Sequence, residues 1–326
     1  MNAEETQTQN DDALVLREAL LNSIHPGPSI TEGHLETIER NIEIAGTKTK
    51  VHCYSPSLDG NGRVRIKALA EFLRERVLQF VVPRSEIDAA EEHYQETNDP
   101  SIFVRLHERA KSAFTPNENS GEGGEFLLYA IAEKEFSLAQ LLCKMSLKTS
   151  AEMHYHGADG IFASIDDDGY LNIFWGESKL YSNASQAITD CLKSLAPHLI
   201  DELGEGAESA EDIILLNEYA NIGDDTAEEI LKRFLNPDHP NAKKLRVCGI
   251  ALVTFDEKCF PAEGLNAEWE EIDKALRETI PKWQEHVSKR VGEEKIGAFD
   301  IQFIFLPMHS ADAFRKVFLK LLRCEK

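Results

Sequence analysis

The segment GADGIFASIDDDGYLNIFWGESKLY, Gly157 to Tyr181, limits what this chain can fold into more than any other stretch. Ile161 to Asp166 and Tyr170 to Trp175 are short aliphatic and aromatic runs, and Asp167-Asp168-Gly169 between them offers a glycine for the left-handed position of a three-residue hairpin loop. An antiparallel hairpin with Asp166 opposite Tyr170 sets Ile165 against Leu171, Ala163 against Ile173, Ile161 against Trp175 and Asp159 against Glu177. Side chains alternate with period two, so Glu177 and Lys179 leave from the face that also carries Asp159. Like charges directly opposite one another destabilise a sheet, so this pair of carboxylates calls for a compensating cation. A divalent metal and a lysine would supply it.

Asp159 followed, after the hairpin, by Glu177-Ser178-Lys179 resembles the core of the PD-(D/E)xK nucleases. The resemblance implies that Asp159 and Glu177 hold Mg2+ or Mn2+, hard cations that prefer oxygen ligands, with the backbone carbonyl of Ser178 as a further ligand. It implies that Lys179 positions, or helps to deprotonate, a water for in-line attack on a phosphodiester. The wider pattern GEFLLYAIAEKEF, LLCKMSLK, HGADGIF and FWGESKLY is similar to the HamA family, from Gly124 to about Ser194, with a weaker echo in FDIQFIFLPMHSADAFRKVFLKLL. HamA is the nuclease subunit of the Hachiman anti-phage system and works beside a helicase, HamB.

That resemblance implies a metal-dependent nuclease that hydrolyses DNA under the control of a HamB-type helicase partner. It implies an α/β (α+β) fold on a restriction-endonuclease-like α-β-β-β-α-β core, a mixed central sheet flanked by helices. It also makes Glu125, at the start of the preceding helix, a further catalytic acid and metal ligand. The sequence departs from the pattern in one place: no long strand is legible between Lys148 and Asp159, where the core wants its first one, and TSAEMHYHG reads as short, bent or partly loop.

Each of these residues also has a plainer reading. Glu125 would favour the positive end of a helix after NSGEGG. Asp159 and Glu177 would serve as a charged sheet edge that discourages aggregation, and Lys179 as a solvated edge lysine. His154 and His156 fit a surface or structural role, and Lys144 and Lys148 a solvated helix face. A noncatalytic assembly or regulatory subunit on a nuclease-like scaffold therefore stands as the alternative function, although a scaffold has no need of a lysine two residues beyond a paired carboxylate.

Composition narrows the partners. A net charge of −22, from 57 acidic and 35 basic residues, opposes unaided DNA binding, because nonspecific affinity comes from Lys and Arg neutralising phosphates. The charge favours a subunit to which a partner delivers DNA, and argues against a restriction-type enzyme that reads sequence by itself. No P-loop of the form GxxxxGK[ST] is present, so any ATP dependence belongs to another chain. Six scattered cysteines without a CxxC pair indicate neither a zinc site nor a disulfide framework. No apolar run approaches the roughly 18 residues of a membrane span, and the start lacks the pattern of a signal peptide, so a soluble, cytoplasmic protein is expected.

Along the chain, residues 1–12 read as a disordered acidic tail and 13–115 as an α/β region that packs on the core or a partner. That region holds a helix from Ala13 to Ser23, a strand pair in RNIEIAGTKTKVHCYSP, an amphipathic helix in RIKALAEFLRERVLQFVV, and two helices split near Asn98-Asp99-Pro100. TPNENSGEGG reads as the boundary before a nuclease domain over 124–326, with helix from Glu125 to Lys148. An acidic helical insertion occupies about 201–240: Asp201 to Ile230 holds eleven Asp or Glu and no Lys or Arg. It reads as solvated faces of amphipathic helices or as a dock for a basic partner. LRVCGIALVTF then completes the central sheet, followed by a helix from about Ala267 to Val291 and a last strand and helix.

Overall fold

An unbroken apolar run such as Val247 to Val253 suits only a strand covered on both faces, and the computed structural model places it at the centre of the sheet. The structure describes residues 3–114, 120–142, 145, 157–200, 210–262 and 265–323. The central strand, β6 (Leu245–Asp256), lies between β5 (Leu171–Leu180) and β7 (Ile301–Met308) and runs parallel to both. Beyond β7 come β2 (Thr49–Pro56), parallel to it, and β1 (Leu35–Glu43), antiparallel to β2. Beyond β5 come β4 (Gly160–Ile165) and β3 (Ala139–Leu142), each antiparallel to its neighbour. The result is one seven-stranded mixed sheet in the order β1-β2-β7-β6-β5-β4-β3.

The strand pleat sorts the core into two layers. Ile173 and Trp175 of β5, Ala251 and Val253 of β6, and Phe303 and Phe305 of β7 face one layer, covered by α1 (Ala3–Ser23), α7 (Ala184–Ile200), α9 (Asp225–Leu235) and α10 (Trp269–Glu293). Phe174 of β5, Ile250 and Leu252 of β6, and Ile304 and Leu306 of β7 face the other. That side is covered by α2 (Ile66–Glu75), α3 (Val77–Val81), α4 (Arg84–Thr97), α5 (Ser101–Ser112), α6 (Glu122–Phe136) and α11 (Ala311–Arg323). Trp175 is completely buried, and an aromatic side chain so placed contributes about 2–3 kcal/mol of transfer free energy.

The nuclease-like core is complete in chain order: α6, β3, β4, β5, α7 and then, after α8 (Ala210–Tyr219) and α9, β6. The first strand lies upstream of Lys148, inside the expected helix. α6 stops at Phe136 because Ser137 takes the left-handed conformation, φ 53°, and its amide caps Ala132, so the expected helix from Glu125 to Lys148 is corrected to Glu122–Phe136 followed by β3. TSAEMHYHG, with His154 and His156, lies outside the described residues, as do Lys144 and Lys148.

Three further expectations change. Residues 3–12 are helical rather than a disordered tail: Asp12 is buried and accepts hydrogen bonds from Arg233 at 2.8 Å and Asn241 at 3.0 Å, contacts that composition does not display. The 13–115 region does more than pack on the core, since its β2 pairs with β7 and extends the same sheet. The amphipathic helix after β2 also breaks, at Arg76, into α2 and α3. Among the described residues no helix is long and apolar enough to cross a membrane.

Candidate active site

The expected register holds along the ladder, which stops one pair short of Asp159 and Glu177. Ile165 pairs with Leu171, Ala163 with Ile173 and Ile161 with Trp175, and the ladder ends at Gly160 opposite Gly176. The two glycines are forced: a Cβ on Gly160 would stand 2.9 Å from the Phe162 ring, and one on Gly176 3.0 Å from the Gly160 carbonyl. β5 continues past this point to Leu180, with β6 still beside it but β4 gone. A backbone amide left without its ladder partner needs a substitute. Asp159 supplies it. Its own amide donates to the Gly176 carbonyl at 2.8 Å, and its Oδ2 accepts from the Ser178 amide at 2.8 Å and the Ser178 hydroxyl at 2.9 Å.

Alternation along β5 sends Glu177 and Lys179 towards α7. Glu177 is 5% exposed, and the Lys179 ammonium donates to its Oε1. From α7, Ser194 donates to the Glu177 carboxylate and the Cys191 thiol to the Glu177 carbonyl at 3.5 Å. Burial pushes the Cys191 thiol well up, so it stays a protonated donor. Burial, and then the negative charge of Asp159, push the Glu177 carboxyl far above the usual carboxylate range, with Lys179 offsetting part of the rise. For Lys179 burial acts downward, but the charge and hydrogen bond of Glu177 outweigh it and hold the amine as an ammonium.

The structure thus brings Asp159, Glu177, Ser178 and Lys179 together where β5 loses its β4 neighbour. Ser178 has a role the sequence did not display: its amide and hydroxyl orient Asp159. Ser178 is 7% exposed and packs on α6, where a Cβ on Gly124 would lie 3.2 Å from its Oγ. Glu125 follows Gly124 in the first turn of α6, half-buried, on the helix that covers the Ser178 side of β5. Glu122, three residues earlier, is 4% exposed and accepts from the Ser120 hydroxyl at 3.0 Å, a second helix-end acid that the sequence reading passed over. Among the described residues no three His, Cys, Asp or Glu side chains gather as a ready-made metal site. The donor set fits a cation that keeps most of its ligands as water, since Mg2+ is commonly held through one or two carboxylates.

The sequence that builds this site belongs to a longer match: the HamA family profile covers residues 32–322. The chain belongs to the HamA family. The match runs from the first turn before β1 to the last turn of α11, so the β1–β2 extension, the acidic insertion and the centre all lie within the HamA region, whereas α1 precedes it. HamA membership gives the chain a Hachiman-associated role in antiviral defence, a system of several proteins. No curated protein matches the sequence.

Proposed function

We propose that this HamA chain is the metal-dependent nuclease of a Hachiman-type complex, hydrolysing DNA phosphodiester bonds under the control of a HamB-type helicase partner. The observation that carries the reading is the Asp159–Glu177 pair, two carboxylates close enough to oppose each other's ionisation, with Lys179 bonded to one of them. Burying Glu177 beside a half-buried Asp159 is costly unless a cation joins them.

Asp159 and Glu177 would hold Mg2+ or Mn2+, Asp159 through the oxygen that Ser178 leaves, with the Ser178 carbonyl and Glu125 as supporting donors. When bound, the cation supplies Lewis-acid polarisation of the phosphoryl group and lowers the pKa of water. Ser178 keeps Asp159 oriented. Lys179, charged beside Glu177, orients the attacking water and stabilises the negative charge that grows on the phosphoryl oxygens, and so acts by position rather than by taking the proton. With a net charge of −22, the chain depends on its partner for contacts to DNA phosphate.

One observation favours the alternative of a noncatalytic assembly subunit: the described residues form no ready-made cluster of three His, Cys, Asp or Glu ligands. Cleavage of labelled duplex and single-stranded DNA with Mg2+, by the purified chain with and without its helicase partner, separates the two. The nuclease reading expects cleavage by the wild-type complex and none with Lys179→Ala; equal cleavage by both removes it.

A further inference from the structure

The acidic insertion contributes a buried residue to the candidate centre. Asp212, in the first turn of α8, is completely buried, and its Oδ2 accepts the Ala158 amide at 3.3 Å. The same oxygen lies 4.0 Å from Nδ1 of His198, a buried residue of α7. Ala158 immediately precedes Asp159. Three consecutive residues are therefore fixed by different means: Gly157 by a left-handed backbone, φ 136°, Ala158 by Asp212, and Asp159 by its amide bond to Gly176.

The ridge of α7 that makes this contact also reaches the other half of the centre. Cys191, Ser194 and His198 follow the i, i+3, i+7 spacing of one helix face. The first two hold the Glu177 carbonyl and carboxylate, and the third meets Asp212. One helix face thus touches Glu177 directly and the Asp159 backbone through the insertion.

We propose that Asp212 is a positioning residue for the candidate centre: by accepting the Ala158 amide against His198, it fixes the backbone from which Asp159 reaches Ser178 and a divalent cation. The metal half of this statement rests on the nuclease reading; the backbone half does not. The acidic insertion is then part of the catalytic apparatus, and whatever displaces α8 releases Asp159.

Two readouts on the full chain test it: amide hydrogen exchange across residues 157–165, and Mn2+ affinity by calorimetry. Asp212→Leu, which removes the acceptor while filling the space, is expected to speed exchange at Ala158 to Gly160 at least tenfold and to weaken Mn2+ binding by a similar factor. Asp212→Asn, which keeps an amide oxygen as acceptor, is expected to recover most of both. Wild-type exchange at Ala158 to Gly160 in folded Asp212→Leu overturns the proposal. Should that variant fail to fold, wild-type exchange at Ala158 to Gly160 in folded Asp212→Ala, which also removes the acceptor, overturns it equally. Loss of protection in Asp212→Leu without Mn2+ binding by the wild type would uphold the hold on Asp159 and remove the metal reading.

Discussion

At its loop end the β4–β5 hairpin carries Asp166, Asp167 and Asp168; at its open end it carries Asp159 and Glu177. The loop-end acids are half-buried or exposed, and two of the three are answered by arginines. Asp166 Oδ1 accepts the amides of Asp168 at 3.1 Å and Tyr170 at 2.9 Å, and its Oδ2 meets Arg246 at 2.5 Å. Arg246 lies over the Tyr170 ring at 3.6 Å, and Asp167, 92% exposed, pairs with Arg17 at 2.9 Å. Asp166 thus closes the turn and a surface ion pair, and Asp167 a second ion pair. At the open end Glu177 is 5% exposed and opposed by the charge of Asp159, with one lysine bonded to Glu177. Surface ion pairs contribute little either way, whereas a buried carboxylate held beside a second one works against folding, and such perturbed groups gather at functional sites. Acidic residues at the two ends of one hairpin therefore serve structure at the loop end and, on the proposed nuclease reading, hold metal at the open end.

The largest effect that would break the comparison is on catalysis. Glu177→Ala or Lys179→Ala is expected to lower the cleavage rate of the complex by at least about 10²-fold, the scale on which removing one preorganised electrostatic group acts. Folding and partner binding should persist; full cleavage by purified Lys179→Ala would place the open end in the same class as the loop. Asp159→Asn keeps the shape and removes the charge. Its cleavage should fail at limiting Mg2+ and recover in part at high concentration, measured as rate against Mg2+; equal rates at low Mg2+ would count against Asp159 as a ligand.

Burial alone is not the signal, and His52 shows why. It is fully buried in β2, its Nδ1 accepting the Asn41 amide at 3.3 Å and its Nε2 donating to Gln302 Oε1 at 2.9 Å. Both ring nitrogens are satisfied in the neutral form. Burial, only partly offset by the Gln302 bond, lowers its pKa to about 4. The unfolded chain therefore binds a proton at higher pH than the folded one, and stability falls as pH drops from about 6.5 towards 4, by on the order of 3 kcal/mol. Denaturant melts at pH 7 and pH 4.5 should show a smaller loss in His52→Gln than in the wild type; identical losses would contradict the assignment. The smallest effect belongs to the loop end. Arg246→Ala should cost under about 1 kcal/mol in the same melts and leave cleavage unchanged.

How much of this was legible follows from the range of the interactions. The hairpin register was readable because strand alternation and the Asp-Asp-Gly loop are local, and Glu177 and Lys179 came with it. β3 was hidden because Ser137, not a glycine, ends α6, and because Ala139 to Leu142 is too short an apolar run to separate strand from helix. The order of residues 3–12 depends on Asp12 meeting Arg233 and Asn241, more than two hundred residues away. Ser178 and Asp212 escaped notice for a related reason. Neither type is unusual at its position, and their roles arise only when β4 ends and α8 folds back onto Ala158. The acidity of 201–230 suggested solvent, yet Asp212 within it is among the most buried acids of the described chain.

Calorimetric titration of Mn2+ into the purified chain tests the difference between the two hairpin ends most directly, using the wild type, Glu177→Gln and Asp166→Asn. Metal held by the open end predicts binding by the wild type and Asp166→Asn with equal affinity, and at least tenfold weaker binding by Glu177→Gln. Equal affinity in all three proteins, or loss only in Asp166→Asn, would contradict the assignment of Asp159 and Glu177 as the metal centre.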